Sequence, residues 1–290
     1  MRSSVIVCAA LLAVGGVTAD EPAPGSGAEV VRELSEQAAR LAPFVESAVA
    51  RRFLAAAPAL PPIEDARRVH FNESTREAVT PAVAAGMSAD ALRGFEPREL
   101  DGRFYYFTRY GTPLAFVRAL DLLGRAGLDG LAGARLVDFG FGSIGHLRMM
   151  ASSGAEVVGI EVDPLLEALY ADPTDVGRIP PAGGGGDESG RLELLFGRFP
   201  ADGATVERLG TGYDVFVSKN TLKRGYIHPD QPVDPARLVR LDVDDERFVR
   251  AVHALLEPGG LFLIYNLYPP QADDPASYRP WADGRSPFSL

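Results

Sequence analysis

Residues 134–153, ARLVDFGFGSIGHLRMMASS, decide the fold. Ala134 to Gly140 reads as a strand, Gly140-Phe141-Gly142-Ser143-Ile144-Gly145 as a glycine-rich turn, and HLRMMASS as a helix. Glycines let the backbone turn tightly and approach a ligand closely, while the helix N-terminus behind them supplies N–H donors and positive potential. Glu161 ends the next predicted strand, AEVVGIEV, 21 positions after Gly140. An acidic side chain there can accept hydrogen bonds from ribose hydroxyls. The glycine spacing alone says little. Joined to a strand, a helix and a distal carboxylate, it points to a dinucleotide or an adenosyl ligand.

Downstream the alternation continues. LLEALYAD reads as a helix, PPAGGGGDESG as a surface loop, LELLFG and YDVFVS as strands, DDERFVRAVHALLEPGG as a helix with a glycine stop, and GLFLIYNL as a last strand. Apolar strands alternating with helices imply a parallel sheet covered on both faces. The expected class is α/β, a Rossmann-like doubly wound, mostly parallel sheet carrying an N-terminal helical extension. Upstream, Thr112-Pro113 is a helix start, a capping hydroxyl followed by proline at the first helical position, with the helix running to about Arg125. Val31, Leu34, Ala38, Leu41 and Val45 recur at helical spacing, with a break expected at Pro43 and an end at Pro58, Pro61 and Pro62. Residues 63–110 are read as short helices and loops ending in the aromatic run Phe104-Tyr105-Tyr106-Phe107. Asn72-Glu73-Ser74 fits a glycosylation acceptor, relevant only in a eukaryotic secretory pathway.

The 290 residues are 46% hydrophobic, 23% charged and 9% aromatic, which suits a folded α/β chain with ample core rather than a disordered one. A net charge of −10 without a basic tract argues against nucleic acid and anionic membranes as partners. At the N-terminus, Arg2, the apolar stretch Val5 to Val14 and the small residues Val17-Thr18-Ala19 form the pattern of a cleavable signal peptide. The competing reading is a buried N-terminal helix. Export places the mature protein in a periplasm or outside the cell, with no membrane anchor after cleavage. Cys8 is the only cysteine and would leave with the signal, so the mature chain has no disulfide or thiolate metal site. His70, His146 and His253 are scattered and show no metal spacing, and no metal is expected. The organisation read from this is a signal at 1–19, a leader and helical extension at 20–110, and the α/β domain at 111–290.

Two further features narrow the ligand. Asp138 stands two residues before the first glycine, and Leu256-Glu257-Pro258-Gly259-Gly260 leads into the last strand. With VDFGFGSIG, VVGIEVDP, YDVFVS and LLEPGGLFLIYN in this order, residues 134–267 resemble the class I S-adenosylmethionine-dependent methyltransferases. YFTRYGTPLAFVRALDLL is similar to a helix that precedes the sheet in many members. The resemblance implies S-adenosylmethionine as cofactor, with Gly140, Gly142, Ser143 and Gly145 around its methionine part and Glu161 on its ribose. Asp138 would organise the turn or contact the amino group. The chain departs from the family pattern in two places. Gly197-Arg198-Phe199 puts arginine where an acidic residue often receives the adenine amino group. Only 23 residues follow Leu267, too few for the usual helix and antiparallel hairpin, which leaves the last strand with an unpaired edge. Ser286-Pro287 reads as a helix start near the end of the sequence, which suggests a truncated C-terminus.

Ligands of parallel sheets bind beyond the strands' carboxyl ends. There, Ser218 to Pro229 (SKNTLKRGYIHP) contains both lysines of a chain that has 27 arginines. Their confinement suggests a need for a compact or titratable ammonium. The expected catalytic residues are therefore Lys219, Asn220 and His228, with Lys223, Arg224, Tyr226 and Asn266 binding substrate. Arg109, Tyr110 and Thr112 are candidates for the donor's carboxylate. The bland reading of the segment is a solvated turn. For the whole chain, the alternatives are a non-catalytic exported scaffold of the same fold and, less favoured, an NAD-dependent oxidoreductase.

Overall fold

The computed structural model describes the backbone of residues 5–12 together with residues 26–183, 189–270 and 274–288. The chain is mixed α/β, a mostly parallel sheet with a helical N-terminal part packed on one face. Strand β1 (Val5–Leu12) is followed by α1 (Gly27–Leu41) and α2 (Ala48–Ala55). Ser26 and Ser47 cap these helices by accepting from Glu29 N and Ala50 N, and α1 stops one residue short of the turn containing Pro43. The helical spacing of Val30, Leu34 and Ala38 turns one buried stripe of α1 toward the core.

Residues 63–110 depart from the expectation of helices and loops. β2 (Arg67–Asn72), β3 (Ala78–Val79) and β4 (Phe95–Leu100) form a small antiparallel sheet in the order β3-β2-β4, with α3 (Pro81–Gly86) between β3 and β4. RRVHFN and FEPREL carry too many charges to announce themselves as strands, because most of one face stays in contact with water. Pro97 is tolerated because β4 is an edge strand. Then come α4 (Gly102–Phe107) and α5 (Val117–Ala126), entered through Thr112, which accepts from Leu114 N, and stopped by the left-handed Gly127.

The remaining strands are β5 (Arg135–Phe139), β6 (Glu156–Glu161), β7 (Gly177–Ile179), β8 (Gly190–Phe196), β9 (Tyr213–Lys219) and β10 (Leu256–Tyr268). Between them lie α6 (Gly145–Ser152), α7 (Pro164–Leu169), α8 (Gly203–Leu209), the single turn α9 (Arg224–Ile227) and α10 (Asp245–Leu255). The order across the sheet is β1-β10-β9-β5-β6-β8-β7, all pairs parallel except β7 with β8. The chain runs outward from β5 through β6 to β8 and then returns to β9 on the other side of β5. The order reverses between β5 and β9, and a crevice opens at such a point beyond the strand ends.

Alternate strand residues feed two cores. Leu136, Val157, Val215 and Leu263 join α1, α2, α5 and α6 on one face. Val137, Ile160, Phe216 and Phe262 join α10 and an aromatic cluster of Phe139, Phe199 and Phe248 on the other. The N-terminal helices thus share a core with the sheet.

Two expectations about the ends change. The outer edge of β10 is not bare: Val5–Leu12 pairs with Leu261–Tyr268 in parallel. Residues 5–12 of the apolar stretch read as part of a signal form this edge strand, while the rest of that stretch and the cleavage residues Val17-Thr18-Ala19 lie outside the described residues. After β10, Ser286-Pro287 starts no helix, and Phe288 instead stacks on Phe248 with ring centroids 5.4 Å apart.

Candidate active site

The crevice between β5 and β9 is a cavity of about 870 Å³. It is lined on one side by the turn after β5 and the end of β6, and on the other by the exits from β9 and β10.

The glycine side is built from backbone. Gly140 and Gly142 have φ of +75° and +64°, a left-handed conformation that favours glycine. A Cβ on Gly140 would collide with the Thr221 side chain, and one on Gly142 would come within 2.8 Å of the Tyr110 ring. The turn is held from both sides. Gly142 N donates to Glu161 Oε2 at 3.2 Å, and Gly142 O accepts from Thr108 Oγ1 at 2.9 Å. Glu161 Oε1 also accepts from Val162 N at 2.8 Å. Burial raises the Glu161 pKa, opposed by these two N–H donors. Each oxygen still has a lone pair for an incoming hydroxyl. Ser143 is buried in the turn and lines the cavity. Gly145 opens α6 against Pro113 and is not part of the lining. At the mouth, Asp163 Oδ2 accepts from both Arg109 and the Tyr110 hydroxyl, at 2.5 and 3.1 Å, so the Arg109 charge already has a partner.

Asp138 lies behind this turn, fully buried, with Oδ2 at 2.6 Å from His146 Nε2. In the tautomer with hydrogen on Nε2, the imidazole donates to this oxygen. Burial lowers the His146 pKa, with Asp138 opposing and Lys219 assisting. The imidazole stacks on Phe116 with centroids 3.7 Å apart, and Lys219 Nζ stands 5.4 Å from the same Phe116 ring. Asp138 Oδ1 is buried without a hydrogen-bond partner among the described residues. His146 was passed over in the sequence. Its signal was its place at the start of the helix behind the glycine turn, which returns it to the end of the strand carrying Asp138.

On the other side, Lys219, Asn220, Lys223 and Tyr226 line the cavity. Burial lowers the Lys219 pKa, with Asp138 opposing. The Lys223 pKa falls to about 8, through burial and then repulsion by Lys219. Lys223 Nζ donates to the carbonyls of Leu267 and Trp281 at 2.8 and 3.1 Å. Asn220 has φ +63°, and its Oδ1 accepts from Leu267 N at 2.7 Å. It shapes the exit from β9.

Three candidates on this side lie off the lining, as Asp138 and Gly145 do on the other. His228 is half exposed with Nε2 at 2.8 Å from Asp245 Oδ1, Arg224 donates to Asp230 Oδ1 at 2.9 Å, and the Asn266 amide holds the carbonyls of Leu222 and Gly284. Each is spent on tying a loop, because the chain turns away from the strand ends within a few residues of α9. The sequence also missed Arg237 and Trp281, which reach the cavity from the single 3-10 turns Pro235–Arg237 and Pro280–Ala282, and Arg240, which reaches it from the loop after the first of these. Among the described residues no cluster of three metal-ligating side chains occurs, and no helix is long and apolar enough to cross a membrane.

No family model matches this chain, and no curated protein matches it.

Proposed function

We propose that the protein is a Rossmann-like enzyme that binds S-adenosylmethionine and transfers its methyl group to a small-molecule or protein acceptor. One observation carries the reading: a left-handed glycine turn, tied to Glu161, borders a large cavity where the strand order reverses. The donor set fits. Glycine backbone can lie against the ligand where a Cβ would not, and Glu161 has lone pairs for two ribose hydroxyls.

S-adenosylmethionine supplies an activated methyl group: the acceptor's electron pair forms the new bond to carbon while the C–S bond breaks and its pair returns to sulfur. The protein's part is mainly to hold the reacting atoms in line. An acceptor that must lose a proton needs a base. Lys219, lining the cavity with a lowered pKa, is the residue we assign to that role. Arg198, paired with Asp242 at 2.5 Å, leaves adenine to be recognised by backbone and by the apolar wall of Ile160 and Phe199.

Calorimetry of the full chain with S-adenosylmethionine and S-adenosylhomocysteine tests the reading. Saturable heat with both is expected. A folded sample that binds neither overturns it, and binding of NADH in their place would favour the oxidoreductase. Export remains part of the proposal. Mass spectrometry of protein secreted by an expressing cell should give a chain beginning after Ala19. An intact N-terminus would instead keep Val5–Leu12 available as the partner of β10.

A further inference from the structure

The cavity carries more positive charge than the methyl donor explains. Seven cationic side chains line it against two carboxylates, Glu161 and Asp163, in a protein whose net charge is −10. Three of the seven are neutralised nearby: Arg76 by Glu73, Arg109 by Asp163 and Arg198 by Asp242. The other four, Lys219, Lys223, Arg237 and Arg240, have no carboxylate within ion-pair distance among the described residues. All four belong to β9 or to the chain that follows it.

Buried charges are ordinarily paired, because removing an ion from water costs several kcal/mol. Lys223 is only 4% exposed, and Lys219 lies close enough to repel it. The two lysines thus set two titratable amines close together in one wall of the cavity, Lys223 held by the carbonyls of Leu267 and Trp281, and a bound anion would favour their protonated forms. Arg237 and Arg240 extend that wall outward into solvent, on the segment whose Val239 N donates to Tyr226 O at 2.9 Å. A low-dielectric cavity lined with one sign of charge concentrates ligands of the other sign. The same wall carries Tyr226, Leu238 and Trp281, the last 42% exposed. It thus offers an apolar surface beside the cations.

We propose that this half of the cavity binds an anionic small molecule, one bearing a carboxylate or a phosphate on a planar or apolar body, and that this molecule is the acceptor of the reaction above. The proposal rests on the methyl-donor reading for the word acceptor only; the anion site stands or falls by itself. A carboxylate in the cavity has two sources, the acceptor and the methionine part of the donor. The four cations all come from β9 or the chain after it, whereas the glycine turn and Glu161 proposed for the donor come from the ends of β5 and β6, which favours the acceptor.

Trp281 is the only tryptophan of the chain and lines the cavity, so its emission reports on this wall. The full-length protein is titrated with benzoate and with phenyl phosphate, using benzamide as the neutral control, each with and without saturating S-adenosylhomocysteine. At least one anion should change the emission saturably, with at least tenfold higher affinity than benzamide. The double variant R237Q/R240Q should bind that anion at least tenfold more weakly while its affinity for S-adenosylhomocysteine stays within threefold. Both arginines are exposed, so the variant should keep the native thermal midpoint. Three results overturn the proposal: benzamide binding as tightly as the anions, the variant binding them unchanged, or S-adenosylhomocysteine displacing them, which would give the cations to the donor's own carboxylate. An anion that binds when S-adenosylhomocysteine does not would overturn the donor reading and leave the anion site standing.

Discussion

The two walls of the cavity are built by different means. The wall after β5 is backbone, with glycines in left-handed conformations pinned by Glu161 and Thr108. The wall after β9 is side chain, with two lysines at its base and two arginines toward solvent. Backbone recognition needs a fixed path, so its weak point is shape. Side-chain recognition needs charge, so its weak points are pH and salt. Substitutions should therefore separate the two walls.

The largest effect is expected on the backbone wall. Gly140→Ala forces an alanine into a left-handed conformation and drives its Cβ into Thr221. A cost of about 1–3 kcal/mol in stability is expected from the backbone alone. Binding of S-adenosylhomocysteine should fall at least a hundredfold, which calorimetry and a thermal melt would read together. A variant that binds normally would mean that the ligand does not approach this turn.

Glu161→Ala comes next. Losing charge-assisted hydrogen bonds to the ribose should cost about 1.5–3 kcal/mol of ligand affinity. Calorimetry with S-adenosylhomocysteine would measure it, and unchanged affinity would put the ribose elsewhere.

Lys219→Met tests the charged wall and should move two readouts in opposite directions. Methyl transfer is expected to fall at least tenfold, while the thermal midpoint rises. Burying an ammonium that has no ion-pair partner is costly, and an apolar side chain of similar length removes that cost. A lower midpoint would make Lys219 a structural residue. Lys219→Arg should not rescue transfer, because a bulky, permanently charged guanidinium cannot give up a proton.

The smallest effect concerns pH. Lys223 is held at about 8, so its charge is present below that value and is lost as pH rises through it. Benzoate affinity, followed by Trp281 emission, should decline above pH about 8 while binding of S-adenosylhomocysteine stays flat. The linkage to stability has the opposite sign. Between about 8 and the ordinary lysine value of 10.5, the unfolded chain holds a proton that the folded chain has released, so folding stability gains with pH there. Benzoate binding that is unchanged from pH 7 to 9.5 would remove Lys223 from the anion site.

Much of this was legible in the sequence because it is local. The order β5, α6, β6, α7, β8, β9, α10 and β10, the glycine turn, the cap at Thr112 and the break at Pro43 all follow from residues close in the chain. The small sheet β3-β2-β4 was not legible. Its strands are short and half-wet, so their alternation of apolar and charged residues is masked. Helix α8 was missed as well. It has seven residues and only two buried positions, too few to establish a period.

The sequence by itself determined which residues could do chemistry: a glycine turn, Glu161 at a strand end, and two lysines confined to twelve residues of an arginine-rich chain. Tertiary structure decided which of them meet. Lys219 and Lys223 face the cavity, while Arg224 and His228, one and five residues beyond Lys223, are turned to Asp230 and Asp245. His146 meets Asp138 because the glycine turn folds the start of α6 back over the end of β5. Arg237, Arg240 and Trp281 reach the same cavity from segments with no repeating pattern. The physical reason is that local propensity and hydrophobic period are set by near neighbours. The pairing of a charge is set by whatever the packed sheet brings within a few ångströms, and sequence spacing does not encode that distance.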